Sequence, residues 1–187
     1  DTLSVPSITH HPNAVWTSPD GARAFVLHHE RNLAVFDVTR RALVRERKVP
    51  RSTGGLALDG RRLVLMRFAG GVTFLDADGD DDGTTRRAFG VAWATALAAS
   101  PDGALVAAGL SSGGVALIET ARHELRAIFD AAPGRVDALV FSHDGARLAT
   151  SGGEALVRVW DVAGALDVAR PLSSAKRKKK SVGARPR

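Results

Sequence analysis

A four-fold repeat most constrains how this chain can fold. An Asp-Gly pair recurs at intervals of 39, 43 and 42 residues, beginning at Asp20, Asp59, Asp102 and Asp144. Seventeen residues after each of these aspartates, an acidic residue closes an apolar segment; these residues are Asp37, Asp76, Glu119 and Asp161. A period near 40 residues is typical of repeat architectures, in which each unit buries its faces against its neighbours.

Within each unit the apolar residues alternate as they do in half-buried β-strands. The last unit predicts strands over 136–141, 147–151 and 156–160. Equivalent third strands are predicted over 33–36, 72–75 and 115–118, and fourth strands over 43–46, 86–89, 125–129 and, less regularly, 166–170. No segment has a sustained helical period. Such short antiparallel units must stack, and the pattern therefore predicts an all-β chain, a β-propeller of about four four-stranded blades.

Two motifs in these units resemble those of the WD-repeat β-propeller family. The sequences Ser-Pro-Asp-Gly at 18–21 and 100–103 and Ser-His-Asp-Gly at 142–145 resemble the family's turn, and Val-Arg-Val-Trp-Asp-Val at 157–162 resembles its signature strand. The family's Gly-His pair is absent, and its strand tryptophan survives only as Trp160, replaced in the other units by Phe36, Leu75 and Ile118. We therefore expect the family's His-Asp-Ser-Trp hydrogen-bond network to be incomplete in every unit.

The repeat predicts an N-terminal strand or linker over 1–11, repeats over about 12–48, 50–90, 91–131 and 133–172, and a disordered basic tail over 173–187. Four blades are few for a closed ring, because closed propellers have about four to eight. Three alternatives follow. The chain is part of a larger ring, or it self-associates to complete a ring of eight blades, or the ring is formed within the chain, either with further degenerate strands such as 3–8 or by four blades that close alone.

The net charge of +6 comes from one end of the chain. The last twelve residues carry seven basic side chains, and removing these from the total of 26 leaves 19 basic against 20 acidic residues. The tail predicts a contact with an import receptor or with RNA phosphates through Lys176, Arg177, Lys178, Lys179 and Lys180. No apolar run is long enough to span a bilayer. We expect an intracellular protein, nuclear if eukaryotic and cytoplasmic if bacterial.

Three motifs that imitate chemical sites are better interpreted as turns. The Gly-x-Ser-x-Gly pattern at 109–113 falls between two strands, whereas a nucleophile needs a strand-to-helix elbow. Asp78, Asp80 and Asp82 lack the carboxylate that a calcium loop needs at its twelfth position, which here is Phe89. His28 and His29 fall in a surface turn. The sequence therefore predicts no catalytic residue, no metal site and no cofactor.

The resemblance implies that partners dock on the loops that lead into the first strands and on the turns between the second and third strands. Aromatic residues and arginine dominate the binding energy of many interfaces. At these positions the sequence offers Trp93, Arg135, Arg31, Phe68, His11 and Glu154. We expect a non-catalytic scaffold for a protein partner. The alternatives are a nuclear or ribonucleoprotein assembly factor that uses the tail, and a regulatory sensor segment of a larger enzyme.

Overall fold

The computed structural model describes residues 12–78, 84–86, 92–154 and 156–168. The strands of these residues form four antiparallel sheets, in which each strand pairs with its neighbours in sequence. Blade 1 comprises β1 Pro12–Thr17, β2 Arg23–His28, β3 Asn32–Asp37 and β4 Ala42–Lys48. Blade 2 comprises β5 Ser52–Ala57, β6 Arg62–Arg67, β7 Val72–Asp76 and β8 Thr84–Arg86. Blade 3 comprises β9 Ala94–Ala99, β10 Leu105–Leu110, β11 Gly114–Glu119 and β12 Glu124–Asp130. Blade 4 comprises β13 Val136–Phe141, β14 Arg147–Gly152 and β15 Val157–Asp161.

The predicted all-β propeller architecture is confirmed, but two elements differ from the sequence expectation. The fourth strand of blade 2 was expected over 86–89, whereas β8 spans Thr84–Arg86 and residues 87–89 lie outside the described residues. Residues 166–168, where a fourth strand was expected for blade 4, belong to the helix α1 Val162–Val168. Asp161 caps this helix, because its Oδ1 accepts a hydrogen bond from the Gly164 N–H at 2.6 Å. Val162, Ala165 and Leu166 pack into the core between blades 3 and 4, and this i, i+3, i+4 spacing suits one face of a helix.

The repeated Asp-Gly turns link the first and second strands of each blade. In blade 1 the Ser18 hydroxyl donates to Asp20 Oδ1 at 2.5 Å and accepts from the Arg23 N–H at 2.9 Å, and Gly21 takes a φ of 69°. The same bonds recur from Ser100 and Ser142. Blade 2 has an alanine in place of the serine, and Asp59 there accepts from the N–H groups of Arg61 and Arg62 instead. Gly60 does not take the positive φ that Gly21, Gly103 and Gly145 share, so the Asp-Gly turn of blade 2 has a different backbone geometry as well as different hydrogen bonds.

The hydrophobic core lies between consecutive blades. We call the sheet face that points to the following blade its leading face and the opposite one its trailing face. The leading face of blade 1 consists of Phe25, Leu27, Leu33 and Val35, which pack against Leu63, Leu65 and Leu75 on the trailing face of blade 2. Equivalent clusters join blade 2 to blade 3 and blade 3 to blade 4. Strand alternation, by which neighbouring residues point to opposite faces, generates both faces from one apolar run.

The leading face of blade 4 is exposed. Strand pairing places Val140, Ala149 and Val159 side by side on it, together with Ser151 and Val157. Val140, Val157 and Val159 are 61%, 71% and 62% exposed. Three of the four leading faces are therefore buried by a following blade, and the fourth meets solvent.

Candidate functional site

One face of the molecule collects the segments that lead into the first strand of each blade and the turns between the second and third strands. We call it the loop face. Within blade 3, the Ser111 N–H donates to the Trp93 carbonyl at 3.0 Å, and the Trp93 N–H donates to Ser111 Oγ at 3.2 Å. The corresponding bond in blade 2 runs from the Phe68 N–H to the Arg51 carbonyl at 2.9 Å. These cross-links hold the loops on a rigid scaffold.

A β-bulge near the start of the first strand recurs in every blade. The register shifts leave one polar residue per blade outside the ladder, namely Asn13, Thr53, Thr95 and Asp137. A bulge turns a side chain away from its regular direction and is common beside functional sites. Here Asn13 Oδ1 accepts the Glu30 N–H at 2.9 Å, and Asp137 pairs with Arg135 at 2.6 Å. The bulges thus supply polar side chains to the loop face.

The histidine pair at the top of blade 1 differs from the sequence expectation. His28 was expected in a surface turn, but it ends β2 and is buried. The turn consists of His29, Glu30 and Arg31, and His29 and Glu30 take positive φ values of 51° and 58°. Two consecutive positive φ values are characteristic of the tight turns that match the twist of a hairpin. The alternation of a strand explains the burial, because His28 shares a face with Val26 rather than with His29.

A concave feature of the loop face lies where blade 2 meets blade 3. Its cavity has a volume of about 290 Å³ and is lined by Thr53, Arg67, Phe68, Trp93 and Ala94. Trp93 is 55% exposed and Phe68 is 52% exposed. The structure therefore brings together two aromatic residues that are 25 positions apart in the sequence. We call this feature the Trp93–Phe68 cleft.

Arginines surround this cleft. The Arg51 guanidinium stacks on the Phe68 ring at 3.9 Å from its centroid, and Arg51 Nε pairs with Glu30 Oε2. A cation over an aromatic face is attracted by the negative charge of the ring face. Arg67 is half-buried, and its Nε is shielded from solvent without a hydrogen-bond partner. The cleft therefore joins an apolar surface to positive charge.

The other candidate residues lie farther around the loop face or outside the described residues. Arg31 is exposed in the turn after β2, next to the Arg51–Glu30 pair. In blade 4, Arg135 pairs with Asp137 and Glu154 pairs with Arg158 at 2.8 Å. His11 and the basic residues 176–180 lie outside the described residues, as do Asp80 and Asp82. The sequence did not identify Arg51 or Thr53 as candidates. Thr53 could not be found in this way, because an alternating pattern of apolar residues does not show where a bulge occurs.

The described residues give no support for the imitated chemical sites. Ser111 lies in the hairpin turn between β10 and β11, with strands on both sides. No group of three or more His, Asp or Glu side chains within the described ranges could hold a metal ion. Among the residues that the structure describes, no helix is long and apolar enough to cross a membrane.

The tryptophan of blade 4 retains part of a hydrogen-bond network. Trp160 Nε1 donates to Thr150 Oγ1 at 2.9 Å, and its ring packs on Phe129 with 4.9 Å between centroids. At the equivalent positions of blades 1 to 3, Phe36, Leu75 and Ile118 are buried and have no such donor. Apolar packing therefore replaces polar bonding at this position in three of the four blades.

Comparisons with known proteins agree with this architecture. A solved structure, the β-propeller domain of Cps50 (Swd1) from Myceliophteria thermophila, superposes with a TM-score of 0.71 at 14% sequence identity. The alignment covers 81% of this chain and 52% of that one, so the chain spans about half the length of the solved propeller. No protein-family model and no curated protein matches the sequence. The chain has the fold of a β-propeller.

Proposed function

We propose that this chain is a non-catalytic scaffold that binds a protein partner through its loop face, with the Trp93–Phe68 cleft as the central contact. The observation that carries the proposal is the exposure of two large aromatic side chains in one cleft. Soluble proteins expose few such side chains, and exposed aromatic residues in a cleft are typical of binding sites. The propeller fold of the solved Swd1 domain is consistent with a scaffold role.

The cleft is held rigidly, which suits binding. The backbone groups of Trp93 and Phe68 make hydrogen bonds that join their loops to a neighbouring segment. The Trp93 carbonyl accepts from the Ser111 N–H, and the Phe68 N–H donates to the Arg51 carbonyl. Binding to a preformed surface avoids the entropy lost when a loop is ordered. In this proposal Arg31, Arg135 and Glu154, which lie farther around the loop face, add charged contacts with the partner.

Affinity capture with two variants tests the role. Trp93→Ala and Phe68→Ala remove the exposed rings, and Ile128→Ala removes an exposed apolar side chain from the outer strand of blade 3 as a matched control. A protein that binds the cleft should lose affinity by about 30-fold with either cleft variant, which is the usual effect of removing a dominant aromatic contact. The affinity should be measured by titration of the purified pair.

The control should bind as the original chain does. Retention of every partner by both cleft variants would show that the cleft is not the binding site. Equal loss with Ile128→Ala would show instead that binding depends on general surface hydrophobicity.

A further inference from the structure

Arg67 has no ion pair within the described residues. Other arginines of the loop face do have one, since Arg51 pairs with Glu30 in the neighbouring loop, and Arg135 and Arg158 of blade 4 pair with Asp137 and Glu154. Within the described residues no carboxylate pairs with Arg67, although its side chain is half-buried and its Nε is shielded. Since Arg67 is half-buried, its guanidinium is partly shielded from water while the side chain still lines the cavity, and a carboxylate in that cavity would pair with it through a charge-assisted hydrogen bond.

The position of Arg67 makes it part of a binding surface. It ends β6 and lines the same cavity as Phe68 and Trp93. None of the residues that line this cavity is acidic. A ligand in the cleft therefore meets two aromatic rings and the positive charge of Arg67, which has no ion pair within the described residues. A second cation, Arg51, stacks on the Phe68 ring.

The size of the cleft limits what it can hold. A volume of about 290 Å³ is at the lower end of the range of about 300–1,000 Å³ that is usual for small-molecule pockets. It suits one large side chain with its flanking backbone better than a complete cofactor. Two of its lining residues, Thr53 and Ala94, belong to β5 and β9, which are edge strands of their sheets, and sheet edges are common sites of peptide binding.

We propose that the Trp93–Phe68 cleft binds a peptide segment in which an apolar side chain lies next to an acidic one. The apolar side chain packs between Trp93 and Phe68, and the carboxylate pairs with Arg67. This inference rests on the proposed scaffold function and specifies the chemistry of the partner at that site.

Selection from a random peptide library against the full chain tests the chemistry. We expect the enriched peptides to carry Asp or Glu within two residues of Leu, Ile, Phe or Trp. One enriched peptide is then synthesised together with its amide twin, in which Asp is replaced by Asn or Glu by Gln. The acidic peptide should bind at least about tenfold more tightly than the twin, because a charge-assisted hydrogen bond to a shielded guanidinium is lost.

Arg67→Gln should remove this difference between the two peptides while leaving the affinity of the amide twin nearly unchanged. Arg67→Lys should keep part of the preference, because it keeps the charge but loses the forked geometry. Arg126→Gln, which removes one positive charge from the outer strand of blade 3, should leave the preference intact. Thermal melting of each variant shows whether it is folded.

The outcomes separate this inference from the proposed function. Peptides that need Trp93 and Phe68 but bind equally well as amide twins would overturn the acidic requirement and leave the scaffold role standing. An acidic preference that persists in Arg67→Gln would also overturn it. A selection that returns no peptide weakened by Trp93→Ala would overturn both.

Discussion

The leading face of blade 4 and the leading faces of the other three blades share one register but differ in environment. Val35 in blade 1 and Val159 in blade 4 both lie fifteen residues after the turn aspartate, and Val115 in blade 3 and Val157 in blade 4 both lie thirteen residues after it. Val35 and Val115 are fully buried, whereas Val157 and Val159 are more than half exposed. Strand register thus decides which side chains can enter a core, and the presence of a following blade decides which ones do.

The largest effect that separates the two kinds of face should come from the matched substitutions Val35→Ala and Val159→Ala. Val35→Ala deletes buried methyl groups between blades 1 and 2 and should lower the free energy of unfolding by about 2 kcal/mol. Val159→Ala removes the same atoms from an exposed site and should change it by less than about 0.5 kcal/mol. Denaturant unfolding of both variants measures the difference.

The pair Val115→Ala and Val157→Ala repeats this comparison at the register position two residues earlier in the third strand, in blades 3 and 4. Equal destabilisation by Val35→Ala and Val159→Ala would show that blade 4 has a covered leading face in solution, and the contrast between the faces would be lost.

The exposed face should also make the isolated chain self-associate. Blade 4 presents Val140, Val157 and Val159, and blade 1 at the other end exposes Val15 and Val44. A second copy can cover the face of blade 4 as each inner leading face is covered by the next blade, and contiguous apolar surface favours such contacts. Sedimentation velocity should show a species larger than the monomer that grows with concentration.

Val159→Lys should weaken this association about tenfold or more, because it places a charge within the contact. Ile128→Lys, on the outer strand of blade 3, should not. A chain that stays monomeric at every concentration would contradict the self-association and with it the idea that this face is incomplete.

Most of the fold could be predicted from the sequence because it follows from local chemistry. The Asp-Gly turns and the alternation of apolar residues determine strand positions, and β3, β7, β11 and β13 lie where that pattern indicates. The helix α1 could not be found in the same way, since seven residues do not establish a helical period. Its formation depends on the cap at Asp161 and on packing against a neighbouring blade.

The candidate site could be predicted only in part. The register identified Trp93 and Phe68 as loop residues, but it could not show that they line one cleft, because they belong to different blades. The stacking of Arg51 on Phe68 depends on a side-chain direction that no sequence period encodes. The bulge that frees Thr53 is a backbone irregularity, and His28 was misplaced by one residue at the end of its strand.

The smallest expected effect is on the pKa of the aspartates in the Asp-Gly turns. These turns should behave alike in blades whose leading face is buried and in blade 4, whose leading face is exposed. A serine hydroxyl and then a backbone N–H lower the pKa of Asp20, Asp102 and Asp144 below its ordinary value of 3.8. A carboxyl group whose pKa is lower in the folded than in the unfolded state stabilises the folded state at every pH above its unfolded-state pKa. This stabilisation is lost as the pH falls through the pKa of the folded state. Stability should therefore decrease below about pH 4.

Ser100→Ala in blade 3 and Ser142→Ala in blade 4 each remove the largest cause of the lowered pKa. Both substitutions should raise the pKa of the neighbouring aspartate toward 3.8, as measured by NMR titration of the side-chain carboxyl groups. A similar rise in the pKa of Asp102 and Asp144 would show that blades 3 and 4 differ at their leading faces and not at their turns, since the turns make the same hydrogen bonds in both blades. A rise in blade 3 alone would mean that the open end loosens its turn as well.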